Sequence, residues 1–504
     1  MFARVYGATI LGLQGNMITV ETDIANGLPA FEIVGMAATS VKESKERVRA
    51  SMKNSGYEFP MRRITLNLAP AELKKDSTGL DLAIAIGIMV SSGQIPPAKT
   101  EGCLFVGELS LDGNIRPVHG ILSMLIQAMD EGFHTVFVSE ENAAEALLCK
   151  DMTVYAVTSL RQVIRHLTEA KKLEPAAVAS VAPEEHVYSA DFSEVQGQFL
   201  AKRALEIAAA GGHNILMIGP PGSGKTMLAK LLPSILPPMN LQESLEVTKI
   251  YSVAGLFRQD RMMTERPFRS PHHTISSNGL IGGGTIPKPG EVTLAHNGVL
   301  FLDELPEFPR SVLEVMRQPL EDGQVHIARV NASLTYPARC MLVAAMNPCC
   351  CGNYGSDEIC TCTAGEIRRY VRKISGPLLD RIDLHVQVNR PLYAELVSAV
   401  PQESSAAIRE RVLAARQRQK ERLAPYHLVC NAHMGHRELR ETCHITKEAQ
   451  ELLQQVFDSL KLSARSYDRI IKVSQTIADL AGDRDIEAKH VGEAVSYRNK
   501  LQRT

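Results

Sequence analysis

The sequence predicts an α/β chain, with a parallel-sheet core preceded by a mixed α+β region and followed by an all-helical one. Three observations carry this expectation. Between about 191 and 390, short continuous apolar runs alternate with helical patterns, as strands covered on both faces do. Two of those runs end in polar turns rich in chemistry, Gly219-Pro220-Pro221-Gly222-Ser223-Gly224-Lys225-Thr226 and Asp303-Glu304. From about Pro391 to Thr504 the pattern is helical, whereas residues 1–170 mix strands and helices without strict alternation.

A chain of 504 residues is expected to form two to four domains, each able to bury a core. The net charge of −1 supplies no global attraction to nucleic acid, so any such face must be local. No apolar run approaches the ~20 residues of a membrane span. Even Leu80 to Val90 carries Asp81 and Gly87, and Met1 to Gly12 lacks the charged-then-apolar pattern of a signal peptide. The ten cysteines include a dense local group rather than a scattered framework, which favours metal over disulfides in a reducing compartment. These features together predict a cytoplasmic, multidomain protein without a membrane partner.

Within 1–170, Met17 to Thr22 and Arg63 to Leu68 alternate as half-buried strands. Ser40-Val41-Lys42-Glu43 reads as a capping-box start for a helix running towards Asn54, before the break at Gly56. Leu80 to Val90 and Ile121 to Met129 read as further helices. Residues 171–190, rich in Pro, Ala and Glu, have little core potential and read as a linker. The core spans 191–390. In the last region, 391–504, helices are expected over Ala406–Leu423, Lys447–Leu460, Ser463–Leu480 and Ile486–Asn499. The first of these carries Arg409, Arg411, Arg416, Arg418, Lys420 and Arg422, either a local basic surface or an ordinary solvated face.

The run Asn214 to Ile218, the turn from Gly219 to Thr226 and the following helical pattern give the strand, glycine-rich loop and helix start of a P-loop. The glycines let backbone N–H groups face phosphate oxygens, and the helix N-terminus adds its positive dipole end. Lys225 is expected to reach the β- and γ-phosphates of a nucleoside triphosphate, and the Thr226 hydroxyl to sit on Mg²⁺. Gly298 to Leu302 is a second buried strand, with Asp303 expected to hold Mg²⁺ through water and Glu304 to polarise the attacking water. Met341 to Met346 ends in Asn347, placed to orient that water, or else a strand-end turn residue. Arg381, in Leu378-Leu379-Asp380-Arg381, is a candidate arginine finger acting in trans, or else half of a surface Asp–Arg pair.

Cys349, Cys351, Cys360 and Cys362 space four thiols as C-x-C-x8-C-x-C, which suits a closed tetrahedral Zn²⁺ site, with Cys350 able to substitute. The alternative is a group of free thiols. The pair His272-His273 invites a metal reading as well. On a strand the two rings would diverge, which favours packing or hydrogen bonding instead.

These motifs, with Asp191 to Gln198, Phe268-Arg269-Ser270-Pro271-His272-His273-Thr274, Pro289 to His296 and Ser463 to Arg469, resemble those of AAA+ ATPases. Within that class the chain is similar to the magnesium-chelatase-like branch that includes the ComM and YifB proteins, over nearly its whole length. The resemblance implies that Arg465 is the sensor-2 arginine of a helical lid and that Asp191 to Gln198 lie near the adenine. It further implies hexameric rings with ATP and Mg²⁺ between subunits. Ser276 to Lys288 and a hairpin over Val325 to Pro337, with Arg329, would face the ring pore. Similarity to ComM implies branch migration of single-stranded or branched DNA during recombination of transforming DNA. The alternative is the ATPase subunit of a magnesium-inserting chelatase acting on a porphyrin, against which the N-terminal domain and the cysteine insert count.

Phe105 to Val118 resembles the proteolytic domain of Lon-type proteases, which use a Ser–Lys dyad. The nucleophile position falls at Gly79, the region expected to supply the lysine (Gly120 to Met124) has none, and Ser77 is a near miss. The expected domain keeps that fold without its peptidase chemistry. It would serve as a docking or DNA-contacting module, with Lys42, Lys45, Arg47, Arg49 and Lys53 on one helix, or else that helix presents an ordinary solvated charged face.

Overall fold

The computed structural model describes all residues except 37, 76–77, 170–171, 178–189, 258–260, 285–287, 330–331, 357, 392–400, 461 and 499–504. The chain divides into two compact units, Met1–Pro183 with Ser244–Met263, and Glu184–Glu243 with Thr264–Thr504.

The first unit is built on a seven-stranded mixed sheet of order β3-β4-β2-β1-β5-β8-β9. Its strands are β1 (Phe2–Leu11), β2 (Gln14–Ala25), β3 (Ala30–Val34), β4 (Arg63–Ala69), β5 (Cys103–Phe105), β8 (Thr135–Ser139) and β9 (Thr153–Val157). The short strands β6 (Glu108–Leu109) and β7 (Ile115–Arg116) pair separately. Alternation along the strands sends Phe105 and Phe137 to one face and Leu104, Val136 and Val138 to the other, and each face has its own apolar cluster. The helix Asp81–Ser91 is buried along its full length, more than an amphipathic pattern would allow. It can lie this close because Gly87 has no side chain, since a Cβ there would stand 2.8 Å from Thr22 Oγ1. Asp81, at its N-terminus, is fully buried and accepts a hydrogen bond from Arg47 Nε at 2.7 Å.

That contact corrects one expectation, because Arg47 is committed to Asp81 and Ser44 rather than to an external partner. The carrying helix spans Thr39–Asn54 and starts after Ala38 with no side-chain cap, instead of at a capping box on Ser40. Ser77 lies outside the described residues. Lys75 is buried with its Nζ donating to the carbonyls of Gly35 (2.9 Å) and Pro70, and desolvation lowers its pKa. The linker expected over 171–190 lies largely outside the described residues.

The second unit carries a parallel five-stranded sheet of order β11-β14-β17-β10-β18. Here β10 is Ile215–Ile218, β11 is Phe268–Arg269, β14 is Val299–Leu302, β17 is Met341–Met346 and β18 is Leu384–Gln387. Two antiparallel ribbons branch from it, β12 (Gly282–Gly283) with β13 (Lys288–Pro289), and β15 (Gln324–Arg329) with β16 (Ala332–Pro337). All residues of β14 and β17 are buried, which is why they read as unbroken apolar runs. Helices Ser405–Leu423, His436–Thr442, Lys447–Leu460, Ala464–Ala481 and Ala488–Ser496 follow, and their apolar faces share one core with the sheet.

The helix Ser405–Leu423 is not the open basic surface that its composition suggests. Arg411 pairs with Glu206 at 2.6 Å and with Glu403, Arg416 donates to the Ala209 carbonyl, and Arg418 and Arg422 bond Asp479. These cations fasten the helix to its own unit.

A second buried network joins sheet and helices at Asp383. Its carboxylate accepts from the Asn214 amide at 3.1 Å and has His213 Nδ1 at 3.4 Å and Arg469 Nε at 3.6 Å. Burial opposes its ionisation, but His213 and Arg469 outweigh that and hold the carboxyl well below the usual carboxylate range. A depressed native pKa adds stability above the ordinary carboxylate pKa near ~4, and that stability is lost as pH falls towards the native value. Asp383→Asn is therefore expected to lose about 3–5 kcal/mol at pH 7, read as a lower denaturant midpoint, and to flatten the acid limb of the stability profile.

Candidate nucleotide and metal sites

The register places the chemistry at one edge of the sheet. Ile218 pairs with Met346 and Gln387, and Leu302 with Ala344, so Gly219, Asp303, Glu304 and Asn347 all leave the sheet at its carboxyl edge. Gly224 takes a left-handed φ of +86° to cap the helix Lys225–Leu231, and Gly219 approaches the Val388 carbonyl so closely that a Cβ would be 2.0 Å away. Substitution at either position would distort the loop.

Lys225 is buried, with its Nζ donating to the carbonyls of Gly219 (2.7 Å) and Pro220 (2.8 Å) and to Asn347 Oδ1 (3.3 Å). Desolvation lowers its pKa, opposed by the nearby charges of Asp303 and Glu304. Thr226 Oγ1 donates to Asp303 Oδ2 at 2.7 Å, so the hydroxyl and carboxylate that would share a Mg²⁺ ion already converge. Glu304 has a left-handed backbone (φ 51°), uncommon for a residue with a Cβ, which turns it sharply out of β14. Its carboxylate is more than half exposed and lies 3.7 Å from His273 Nδ1.

The histidine pair differs from the strand geometry expected of it. Both residues lie beyond β11 in a turn, and their rings approach to 4.1 Å instead of diverging. His272 bonds Thr274 Oγ1, and neither ring belongs to a metal-binding cluster among the described residues. The motif segments around them are stapled together by a two-pronged pair, Arg269 to Glu291 at 2.6 and 2.8 Å.

Arg381 is almost fully buried, donating to the Pro377 carbonyl at 2.8 Å and pairing with Glu321. Arg465, in the first turn of Ala464–Ala481, donates to the other oxygen of the same carboxylate at 3.2 Å. The Arg381 hydrogen bond, first among several cations, holds the Glu321 carboxyl below its usual range. The structure thus brings the two candidate arginines together through Glu321, a residue that sequence reasoning had not singled out. Asp191 accepts from the Ser405 amide and caps residues 192–194, leaving Gln198 as the member of its motif that reaches the cleft beside the P-loop.

That cleft, of about 550 Å³, is bounded by Gln198 to Leu200, the P-loop start, the Cys349–Cys362 loop and Arg390. Within the loop, the Sγ atoms of Cys349, Cys351 and Cys360 stand 3.3, 3.7 and 3.6 Å apart, with Cys362 Sγ also within 4.8 Å of each. Ligands 2.3 Å from a tetrahedral centre stand about 3.8 Å apart, so the four thiols fit a metal such as Zn²⁺. Backbone amides, that of Asn353 first, hold the Cys351 thiol low, while at Cys360 and Cys362 the backbone hydrogen bonds are outweighed and the neighbouring thiols push the pKa up, as like donors crowded around one centre do. Cys350 is exposed and outside the cluster. Among the described residues no helix is long and apolar enough to cross a membrane.

A parallel sheet with a P-loop after one strand and a carboxylate pair after another, separated by the strand that ends in Asn347, defines a nucleotide-dependent α/β ATPase. Family models agree: "Magnesium chelatase, subunit ChlI" matches residues 191–396, "Subunit ChlI of Mg-chelatase" residues 20–142, and "Magnesium chelatase, subunit ChlI C-terminal" residues 402–498. The chain is 43% identical to YifB of Salmonella typhimurium over 498 residues, and 42% identical to "Competence protein ComM" of Haemophilus influenzae over 501. Each alignment covers 98% of this chain and 97% of the relative. It is also 28% identical to the Lon protease of Mycolicibacterium smegmatis over 190 residues, covering 35% of this chain and 23% of that one. The chain belongs to the YifB/ComM family of magnesium-chelatase-like AAA+ ATPases.

Proposed function

We propose that this protein is a ring-forming ATPase, a homo-hexamer that couples ATP hydrolysis to remodelling of single-stranded or branched DNA, with branch migration during recombination of incoming DNA as its task. The observation that carries the ATPase half is the convergence of Lys225, Thr226, Asp303 and Asn347 at one sheet edge. Thr226 and Asp303 are the residues that would hold Mg²⁺, which neutralises charge developing on the phosphates. Glu304 would take the proton of the attacking water, and Asn347 would position that water. Glu304→Gln is expected to keep ATP binding while lowering the hydrolysis rate by about 10²–10⁴-fold, measured as phosphate release under saturating ATP.

The DNA half draws support from the full-length similarity to a competence protein and from a local basic cleft. Exposed Arg310, Arg369 and Arg372 line that cleft with Lys373, which pairs with Glu307 at 3.2 Å, and it replaces the helix Ser405–Leu423 as the candidate phosphate contact. ATPase rates with single-stranded, duplex and branched DNA at two salt concentrations test it. Salt-sensitive stimulation is expected, because phosphate contacts release counterions. Indifference to every DNA would leave the second reading, the ATPase subunit of a porphyrin chelatase, which the descriptions of the matching family models favour.

A further inference from the structure

The four-cysteine loop is part of the nucleotide cleft. Pro348 and Cys349 follow directly on Asn347, so the first metal ligand sits two residues beyond a side chain that touches Lys225. The turn at Gly352 has a left-handed φ of +89° and lies against the P-loop, where a Cβ would be 2.6 Å from Pro221 Cδ. Cys349 Sγ accepts the Tyr354 amide at 3.3 Å, so a ligand atom fixes the backbone of an aromatic residue. Tyr354 lines the cleft together with Gln198 and Phe199, with 41% of its surface exposed. The wall continues through Glu358, which pairs with Arg390, and Arg390 Nε donates to the Pro221 carbonyl at 3.2 Å. Gln198 closes the far side by donating to the Asn389 carbonyl at 2.5 Å and the Ser223 carbonyl at 3.4 Å. The P-loop grips phosphate, and nothing in it would hold a base. The cleft beside it has the aromatic face and polar rim that a base and ribose need.

We propose that a Zn²⁺ ion bound by Cys349, Cys351, Cys360 and Cys362 organises the base-and-ribose wall of the nucleotide cleft, with Tyr354 as the stacking surface, so that metal loading sets affinity for the nucleoside part of ATP. This rests on the reading of the P-loop as an ATP site. It assigns the metal a role in ligand selection and none in the hydrolytic step.

The test compares two ligands, ATP and inorganic tripolyphosphate, by calorimetric titration of the full-length protein as purified and after chelation, with metal content measured in parallel. The expected result is one zinc per chain and an ATP affinity that falls about tenfold on metal removal, with tripolyphosphate binding unchanged. To separate the metal's effect from local unfolding of the stripped loop, Tyr354→Ala supplies the second arm. It is expected to keep its zinc and lose ATP affinity by a similar factor, while Tyr354→Phe retains affinity. Equal ATP affinity with and without metal, or a Tyr354→Ala protein that binds ATP as the wild type does, would overturn the proposal. Parallel loss of tripolyphosphate binding would also overturn it, since the metal would then be holding the P-loop itself. If the untreated protein binds neither ligand, it is the ATP reading that fails, and the proposal with it.

Discussion

Lys225→Ala is expected to weaken ATP binding by about 100-fold or more, because a charge-assisted hydrogen bond to each of two phosphates is lost together with a buried cation. The magnitude follows from the side chain's surroundings. Its ammonium is buried and held by the Gly219 and Pro220 carbonyls and by Asn347, all weak neutral acceptors that anionic phosphate oxygens can replace at a gain. Desolvation already depresses the lysine pKa, and a phosphate's negative charge would reverse that effect, so part of the binding energy comes from relieving a buried, underpaired cation. Titration with a fluorescent ATP analogue measures the loss. A variant that binds within threefold of the wild type would show that the loop holds its ligand by backbone groups alone. Thermal stability should change little, since the carbonyls it releases lie beside the open cleft.

Local chemistry was legible in the sequence and long-range pairing was not. The P-loop, the Asp303-Glu304 strand end and the cysteine spacing each put function within a dozen or so residues, where period and spacing are informative. Four of the described C-terminal helices were placed to within a few residues for the same reason, whereas the short helix His436–Thr442 was missed. What failed were side chains whose partners are far away in the chain. Arg47 and the arginines of Ser405–Leu423 looked like solvated charge because nothing in their own helices announces Asp81, Glu206 or Asp479 as buried partners. The His272–His273 reading assumed strand geometry one turn too far beyond β11. Tyr354 was overlooked because a lone tyrosine in a glycine-containing loop carries no signal until the loop is seen against the P-loop. Glu321 is a further example, a carboxylate 60 residues from Arg381 and 144 from Arg465 that gathers both.

That gathering determines what Arg381→Ala should do. The variant is expected to bind ATP normally and to lose about 10³–10⁵-fold in hydrolysis rate, the range for an arginine supplied in trans to a transferring phosphoryl group. Within its own unit Arg381 contacts Glu321 and Pro377, and none of its described hydrogen bonds or ion pairs reaches Lys225, Thr226, Asp303 or Glu304. Its service to the γ-phosphate of the same chain therefore has no geometric support, whereas Glu321 is about half exposed and marks the open side from which a neighbouring nucleotide could approach. Mixing makes the prediction decisive. Arg381→Ala and Lys225→Ala proteins should each be inactive alone, yet rings assembled from both should recover hydrolysis at interfaces that join an intact P-loop to an intact Arg381. Arg465 shares the same carboxylate, so Arg465→Ala should complement Lys225→Ala in the same way if the two arginines act as one charge cluster on the neighbour's phosphates. Activity that scales with dilution into monomers, or no recovery on mixing, would place Arg381 in a purely structural pair with Glu321. In that case Glu321→Gln should destabilise the fold as much as Arg381→Ala does. A finger held in reserve by Glu321 instead predicts that Glu321→Gln, which keeps an acceptor at a half-exposed position beside the buried guanidinium, costs less stability than Arg381→Ala while altering hydrolysis.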